Sequence, residues 1–407
     1  MAEPIKQKNS APELSILFSD NWLGPSVCQS WKTTKSHFLN PGGWPASKRH
    51  QEDASEMMAK PQLFGNLVTQ VVRPNLCSFC GACMASCPVG VLWPVGEQPT
   101  LIGQCALCEV CYYQCPTVEF PKNDVEVFLH GRTRRADEPL GISRGTFVGR
   151  AVSKDTQGVA QDGGMVTALL SYALDKKLID AAVVAGRDAN WKAKPVVATK
   201  SEDIVKNAGT KYTPSPTLLG VRSAVEEYAK TKVGLVGTPC QMRAVRRIQT
   251  SPLGNRRLAQ AMQLSIGLFC MEAYGYDKLV ETYMAGKGID PSTITRVEIK
   301  KGSFIAKAGD KELLHVPLRD VDAFVRQSCK QCEDFTAEYA DISVGGIGCP
   351  TGYSTVIART EKGLDILRQA EKAGYVELRE LKPEEKGYQK VVNMALAKHA
   401  RKATQIN

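Results

Sequence analysis

Cys77, Cys80, Cys83 and Cys87, followed by Pro88, are spaced C-x₂-C-x₂-C-x₃-C-P. Cys105, Cys108, Cys111 and Cys115, followed by Pro116, repeat that spacing 28 positions later. The short gaps let three thiolates close around one face of an iron–sulfur cubane, while the fourth cysteine of each run reaches across to the other cluster. The pattern assigns Cys77, Cys80, Cys83 and Cys115 to one [4Fe–4S] cluster. It assigns Cys105, Cys108, Cys111 and Cys87 to a second. Structural zinc fits poorly, because zinc sites use two separated ligand pairs rather than an unbroken run with a trailing proline. Clusters of this kind move single electrons and make no bonds, so any two-electron step needs another group.

Six further cysteines remain: Cys28, Cys240, Cys270, Cys329, Cys332 and Cys349. Cys329 and Cys332 form another Cys-x-x-Cys, and Cys240 and Cys270 each end a strand-like run, where loops gather ligands. Their spacing is open to two readings: a third cluster, or buried core cysteines. Nothing familiar supplies the two-electron step. There is no G-x-G-x-x-G after a strand, no G-x-x-x-x-G-K-[ST] and no HExxH. The five histidines lie far apart, so hydrolytic and Cys/His nucleophilic chemistry have no support.

The elements that must position these residues are legible from texture. Residues 1–70 are rich in Ser, Pro, Lys and Asn without periodicity and read as a partly ordered extension. A ferredoxin-type module with both clusters spans 71–125, and a basic connector follows. Over 145–375, strand-like runs (AAVVAG at 181–186, KVGLVG at 232–237, LSIGLFC at 264–270) alternate with helical patterns (MVTALLSYALDKK at 165–177, SAVEEYAK at 223–230). That alternation predicts an α/β domain on a mixed sheet. Residues 376–407 read as a basic helical tail.

Composition narrows the class. Fourteen cysteines in a 407-residue chain that opens without a secretory pattern point to metal ligation in a reducing compartment, not disulfides. No run approaches the roughly 18 apolar residues that cross a bilayer. The reading is therefore cytoplasmic, with peripheral docking on a membrane complex left open. The formal charge of +10 is scattered and has no nucleic-acid motif beside it, so an anionic coenzyme or an acidic redox protein suits it better.

From Cys77 to about residue 375 the chain resembles the beta-subunit family of coenzyme F420-dependent hydrogenases and dehydrogenases. The resemblance rests on QDGG at 161–164, NAGTKYTPSP at 207–216, GTPCQ at 237–241, GLFCME at 267–272, SCKQCEDFTAEYADISVGG at 328–346 and GYSTVIART at 352–360. The ferredoxin motifs fused ahead of it look most like the electron-input subunits of F420H2 dehydrogenases. The resemblance implies FAD and a third [4Fe–4S] cluster, with Cys240, Cys270, Cys329 and Cys332 as ligands. It implies flavin contacts from Gln161, Asp162, Gly163, Gly164, Thr167, Gly209, Thr210, Lys211, Tyr212, Gly237, Thr238 and Pro239. Consecutive glycines before a helix N-terminus suit a pyrophosphate. Lys211 reads as a flavin contact rather than a surface charge, and Cys349 as a spare buried thiol. The activity implied is hydride transfer between coenzyme F420 and FAD, with electrons passed to other subunits of a redox complex or to a ferredoxin. The alternatives are a same-fold reductase of a chlorophyll-type or sulfite substrate, a subunit serving formate dehydrogenase or glutamate synthase, or a pure electron-transfer subunit.

Overall fold

Runs of Val, Ile, Leu and Ala broken by glycine build the frame. The structure, a computed structural model, describes residues 61–118 and 120–403. Residues 1–60, with Cys28, and the last residues of the tail lie outside the described residues. Helical turns from Phe64 to Val72 lead into the cysteine block. There a hairpin of β1 (Leu92–Val95) and β2 (Gln98–Leu101) separates the two motifs.

The chain then enters a sheet with β3 (Gly145–Ala151), β4 (Ala181–Arg187), β5 (Ala193–Ala198), β6 (Val233–Gly237) and β7 (Met262–Leu268). It leaves to form a separate antiparallel sheet of β8 (Arg296–Lys300), β9 (Ser303–Ala308) and β10 (Lys311–Pro317). It returns with β11 (Ile342–Gly345), β12 (Ser354–Ala358) and β13 (Val376–Glu380). The order across the eight-stranded sheet is β13-β3-β12-β11-β7-β6-β4-β5. Its centre, β11-β7-β6-β4, is parallel, and the flanking pairs are antiparallel. Every residue of β6 is buried, as expected of a strand covered on both faces.

Two expectations are corrected. Residues 61–70 are not extension: Phe64 and Leu67 pack with Val71, Met84 and the cysteines of the block in one apolar cluster. Residues 376–407 are not a purely helical tail. Val376 and Leu378 alternate with charged residues, which suits an edge strand, and β13 pairs with β3 before the helix Lys386–Ala403. Among the described residues no helix is long and apolar enough to cross a membrane.

The cluster module is part of the same core rather than a bead on a linker. Cys80, Ala82 and Ala85 pack with Leu218, Val221, Met242 and Val245. Gly81 sits at φ 91°, and a Cβ there would lie 2.9 Å from the Pro216 carbonyl oxygen. Only glycine permits that approach.

The helix Pro239–Thr250, which carries Cys240, is locked to β7 and β11 by a buried polar network. Arg246 donates to the Tyr339 carbonyl (2.8 Å) and Ser265 Oγ (2.8 Å), and it pairs with Asp341 at 3.4 Å. Asp341 accepts from the Ser265 amide and hydroxyl, each at 2.8 Å. Burial works against its charge, yet Arg246, Lys362 and these hydrogen bonds hold the carboxyl below the usual range. Arg246→Leu strands that buried carboxylate. We expect about 3–5 kcal/mol of destabilisation, read as a lower anaerobic thermal midpoint; an unchanged midpoint contradicts the role given to this network.

Candidate functional site

The two cysteine runs fold alike because their backbones bend at the same places. Phe79 and Leu107 both take left-handed φ (57° and 54°), and each donates its amide to the first sulfur of its run at 3.4 Å. Gly81 and Glu109 occupy the next matching positions, again left-handed. These bends turn the sulfurs inward. One small cavity is lined by Cys77, Cys80, Cys83 and Cys115. A second is lined by Cys87, Cys105, Cys108 and Cys111. Each cavity thus draws one lining cysteine, Cys115 or Cys87, from the other run.

Cys240, Cys270, Cys329 and Cys332 form another set, close enough for their charges to act on one another. It lies at the carboxyl ends of β6 and β7, where an open α/β sheet gathers its ligands. The Ala273 amide donates to Cys329 Sγ at 3.3 Å, repeating the N–H···S contact of the other two sets. The sets stand in file. Cys240 acts on Cys77 and Cys80, and Cys83 feels Cys111.

Burial is the main force on these thiols. It pushes Cys77 and Cys329 up to about 11 and Cys111 to about 12, and it raises Cys80, Cys83 and Cys270 as well. Among the described residues no three His, Cys, Asp or Glu side chains converge tightly enough for a single metal ion.

The loops expected to hold a flavin meet beside the third set. Gln161 Oε1 accepts from the Thr210 amide at 3.4 Å. Gln241 donates to the Ser215 carbonyl at 2.6 Å, and its Oε1 accepts from the Thr238 amide at 2.8 Å. Thr238 caps its helix, with Pro239 in the first turn and Thr238 Oγ1 3.2 Å from Cys240 Sγ. Gly237 ends β6 where a Cβ would strike Gln241. Asp162 packs against Gly346 at the end of β11, and burial raises its carboxyl although Lys300 and Arg296 oppose this. Gly209 and Tyr212 both take left-handed φ, which folds their loop back on itself. Gly164 takes φ 72° and leaves the helix Met165–Asp175, with Thr167 buried in its first turn, without a side-chain cap.

Three findings alter the residue-level reading. The Gly163 amide donates to Ser354 Oγ at 3.1 Å, and a Cβ there would lie 2.7 Å from the Gly149 carbonyl oxygen. Gly163 thus serves close packing, and its amide is already engaged. Lys211 is buried, not solvated, and its ammonium donates to the carbonyls of Asn207 (2.6 Å), Ala208 (3.3 Å) and Gly209 (2.8 Å). With all its donors engaged, it shapes the loop instead of reaching a ligand. Burial and then Arg187 bring it down to about 8. Thr213 and Ser215, which the spacing did not single out, have buried hydroxyls without a partner among the described residues. Such orphans suit a polar ligand between these loops; the TPSP stretch was the signal. Cys349 is half-buried, and its Sγ lies 3.2 Å from the Tyr353 carbonyl, outside all three sets. The wide depression lined by Asp175, Lys177, Asp180, Lys200 and Lys232 lies at the amino ends of β4 and β6, away from the thiols.

Residues 230–384 match the C-terminal region of the family described as "Coenzyme F420 hydrogenase/dehydrogenase, beta subunit", and residues 146–221 match its N-terminal counterpart. Residues 71–93 match the 4Fe-4S binding domain. The chain is 41% identical to the coenzyme F420 hydrogenase beta subunit of Methanothermobacter thermautotrophicus, over 60% of this chain and 88% of that one. It is 32% identical to the F subunit of the F(420)H(2) dehydrogenase of Methanosarcina mazei, over 73% and 82%. Its fold is similar to a chain in the F420-reducing [NiFe] hydrogenase complex of Methanosarcina barkeri. There the TM-score is 0.63 and the identity 34%, over 66% of this chain and 93% of that one.

The loop-shaping role of Lys211 is open to test. Lys211→Met frees three carbonyls. Amide exchange over 207–212 should quicken roughly ten- to a hundredfold, from loss of about 1.5–3 kcal/mol of charged hydrogen bonding. Unchanged exchange rates contradict it.

Proposed function

The chain belongs to the coenzyme F420 hydrogenase/dehydrogenase beta-subunit family, and on that premise we propose that it oxidises reduced coenzyme F420 and feeds the electrons singly to partner subunits. When bound, FAD would accept the hydride and three [4Fe–4S] clusters would carry the electrons onward. What supports this reading most is the file of thiols. The third set sits beside the loops at the carboxyl ends of the parallel strands, and the other two lead away from it.

Each residue has a task in this account. Cys240, Cys270, Cys329 and Cys332 hold the cluster nearest the flavin. Cys77, Cys80, Cys83 and Cys115 hold the next, and Cys87, Cys105, Cys108 and Cys111 the last. Gln161, Asp162, Gly164, Thr167, Gly209, Thr210, Tyr212, Gly237, Thr238 and Pro239 shape the flavin cleft, and the hydroxyls of Thr213 and Ser215 offer it polar contacts. Lys211 keeps the Asn207-to-Gly209 carbonyls turned inward. Hydride transfer needs proximity rather than a dedicated acid or base, so ordered loops are what the protein contributes. Electrons leave at the last set. Cys108 is exposed there, and Val89 and Leu107, which line the same cavity, present exposed apolar surface.

Anaerobically purified protein should contain about twelve irons and as many sulfides, three cubanes per chain. A reproducible value near eight removes the third cluster. In Cys329→Ser, reduced coenzyme F420 should still bleach the flavin, while reduction of the two ferredoxin-type clusters, followed by EPR, collapses. Reduction at the parent rate puts the third set off the path.

A further inference from the structure

The helix Lys386–Ala403 begins beyond residue 384, where the family match ends. It delivers a cation to the third cysteine set. Lys398 is 1% exposed, and its Nζ donates to the Cys270 carbonyl at 2.5 Å. Cys329, Cys332 and the Asp334 carboxyl are near enough for their charges to act on it. The helix is pinned one turn on, where Arg401 pairs with Glu272 at 3.2 Å. Glu272 lies two residues past Cys270 on the same loop.

A lysine buried this deeply needs a compensating anion. Asp334 is only a partial one. Its carboxylate accepts from the Glu338 amide at 3.0 Å, and Arg359 draws on the same charge. A [4Fe–4S] core bound by four thiolates would be a net anion, held in part by Cys270, whose carbonyl Lys398 reaches. We propose that Lys398 is the fixed counter-charge of the third cluster, raising its reduction potential and coupling its stability to docking of the C-terminal helix. This rests on Cys240, Cys270, Cys329 and Cys332 holding that cluster. Reduction adds one electron and breaks no bond. The added negative charge interacts with Lys398 directly, so the reduced state gains more than the oxidised one. The practical effect is a third cluster poised to draw single electrons from the flavin.

The test compares the full chain, purified anaerobically, as parent, Lys398→Met and Lys398→Arg in EPR-monitored redox titrations. Removing the charge should disfavour reduction of the third cluster about tenfold, a midpoint ~59 mV lower for a one-electron couple. Arginine should restore it. The ferredoxin-type clusters should keep their midpoints in all three proteins and so report on folding. An unmoved third midpoint in the methionine variant overturns the proposal, as does a shift that arginine fails to reverse. Loss of the third cluster with methionine but not arginine supports it, and loss with both overturns it. A parent with about eight irons refutes the third cluster itself, an outcome distinct from any of these.

Discussion

A thiolate does not survive alone in an apolar interior, and this chain buries its cysteine sulfurs among apolar side chains. Burial drives the Cys80, Cys83 and Cys270 thiols far toward the protonated form. They become ligands only where positive charge and amide donors replace water. Much of the architecture serves that constraint. Phe79, Leu107 and Ala273 turn their amides onto sulfur. Gly81 lets the first run press against Pro216, and Arg246 fixes the helix that carries Cys240. Iron would supply the bulk of the positive charge.

The same constraint orders the sets. Sulfurs that must avoid water are best placed inside a continuous core, and the cluster module shares its core with the helices Thr217–Glu226 and Pro239–Thr250. Hence Cys240 of the third set acts electrostatically on Cys77 and Cys80 of the first, and Cys111 of the second on Cys83. Among the described cysteines Cys108, in the second set, is the most exposed.

How much of this the sequence disclosed follows from how local each constraint is. The two motifs were readable because their geometry is set by spacings of a few residues. Cys240, Cys270, Cys329 and Cys332 lie far apart along the chain and meet only through strand order, so spacing alone left their grouping open. The strands at 181–186, 232–237 and 264–270 were legible from apolar runs. The edge strand Val376–Glu380 was not, since its V-E-L-R-E alternation is short and charged. Phe64 and Leu67 were lost in a polar stretch, though they complete the core of the module. Lys211 was read as a flavin contact, whereas Lys398 was illegible in a deeper sense. A lysine reads as surface until the fold shows what accepts its protons, and for Lys398 the partner lies 128 positions away.

The central claim is that reduced coenzyme F420 is the donor and that its electrons enter at the flavin loops and leave through the cysteine file. The direct measurement is anaerobic stopped-flow mixing of the parent protein, loaded with FAD, with reduced coenzyme F420, and separately with NADH. The account predicts that oxidised coenzyme F420 appears as the flavin bleaches and that cluster absorbance falls in a following phase, while NADH leaves the flavin oxidised. Clusters that are reduced without flavin bleaching, or a flavin indifferent to reduced coenzyme F420, would contradict it.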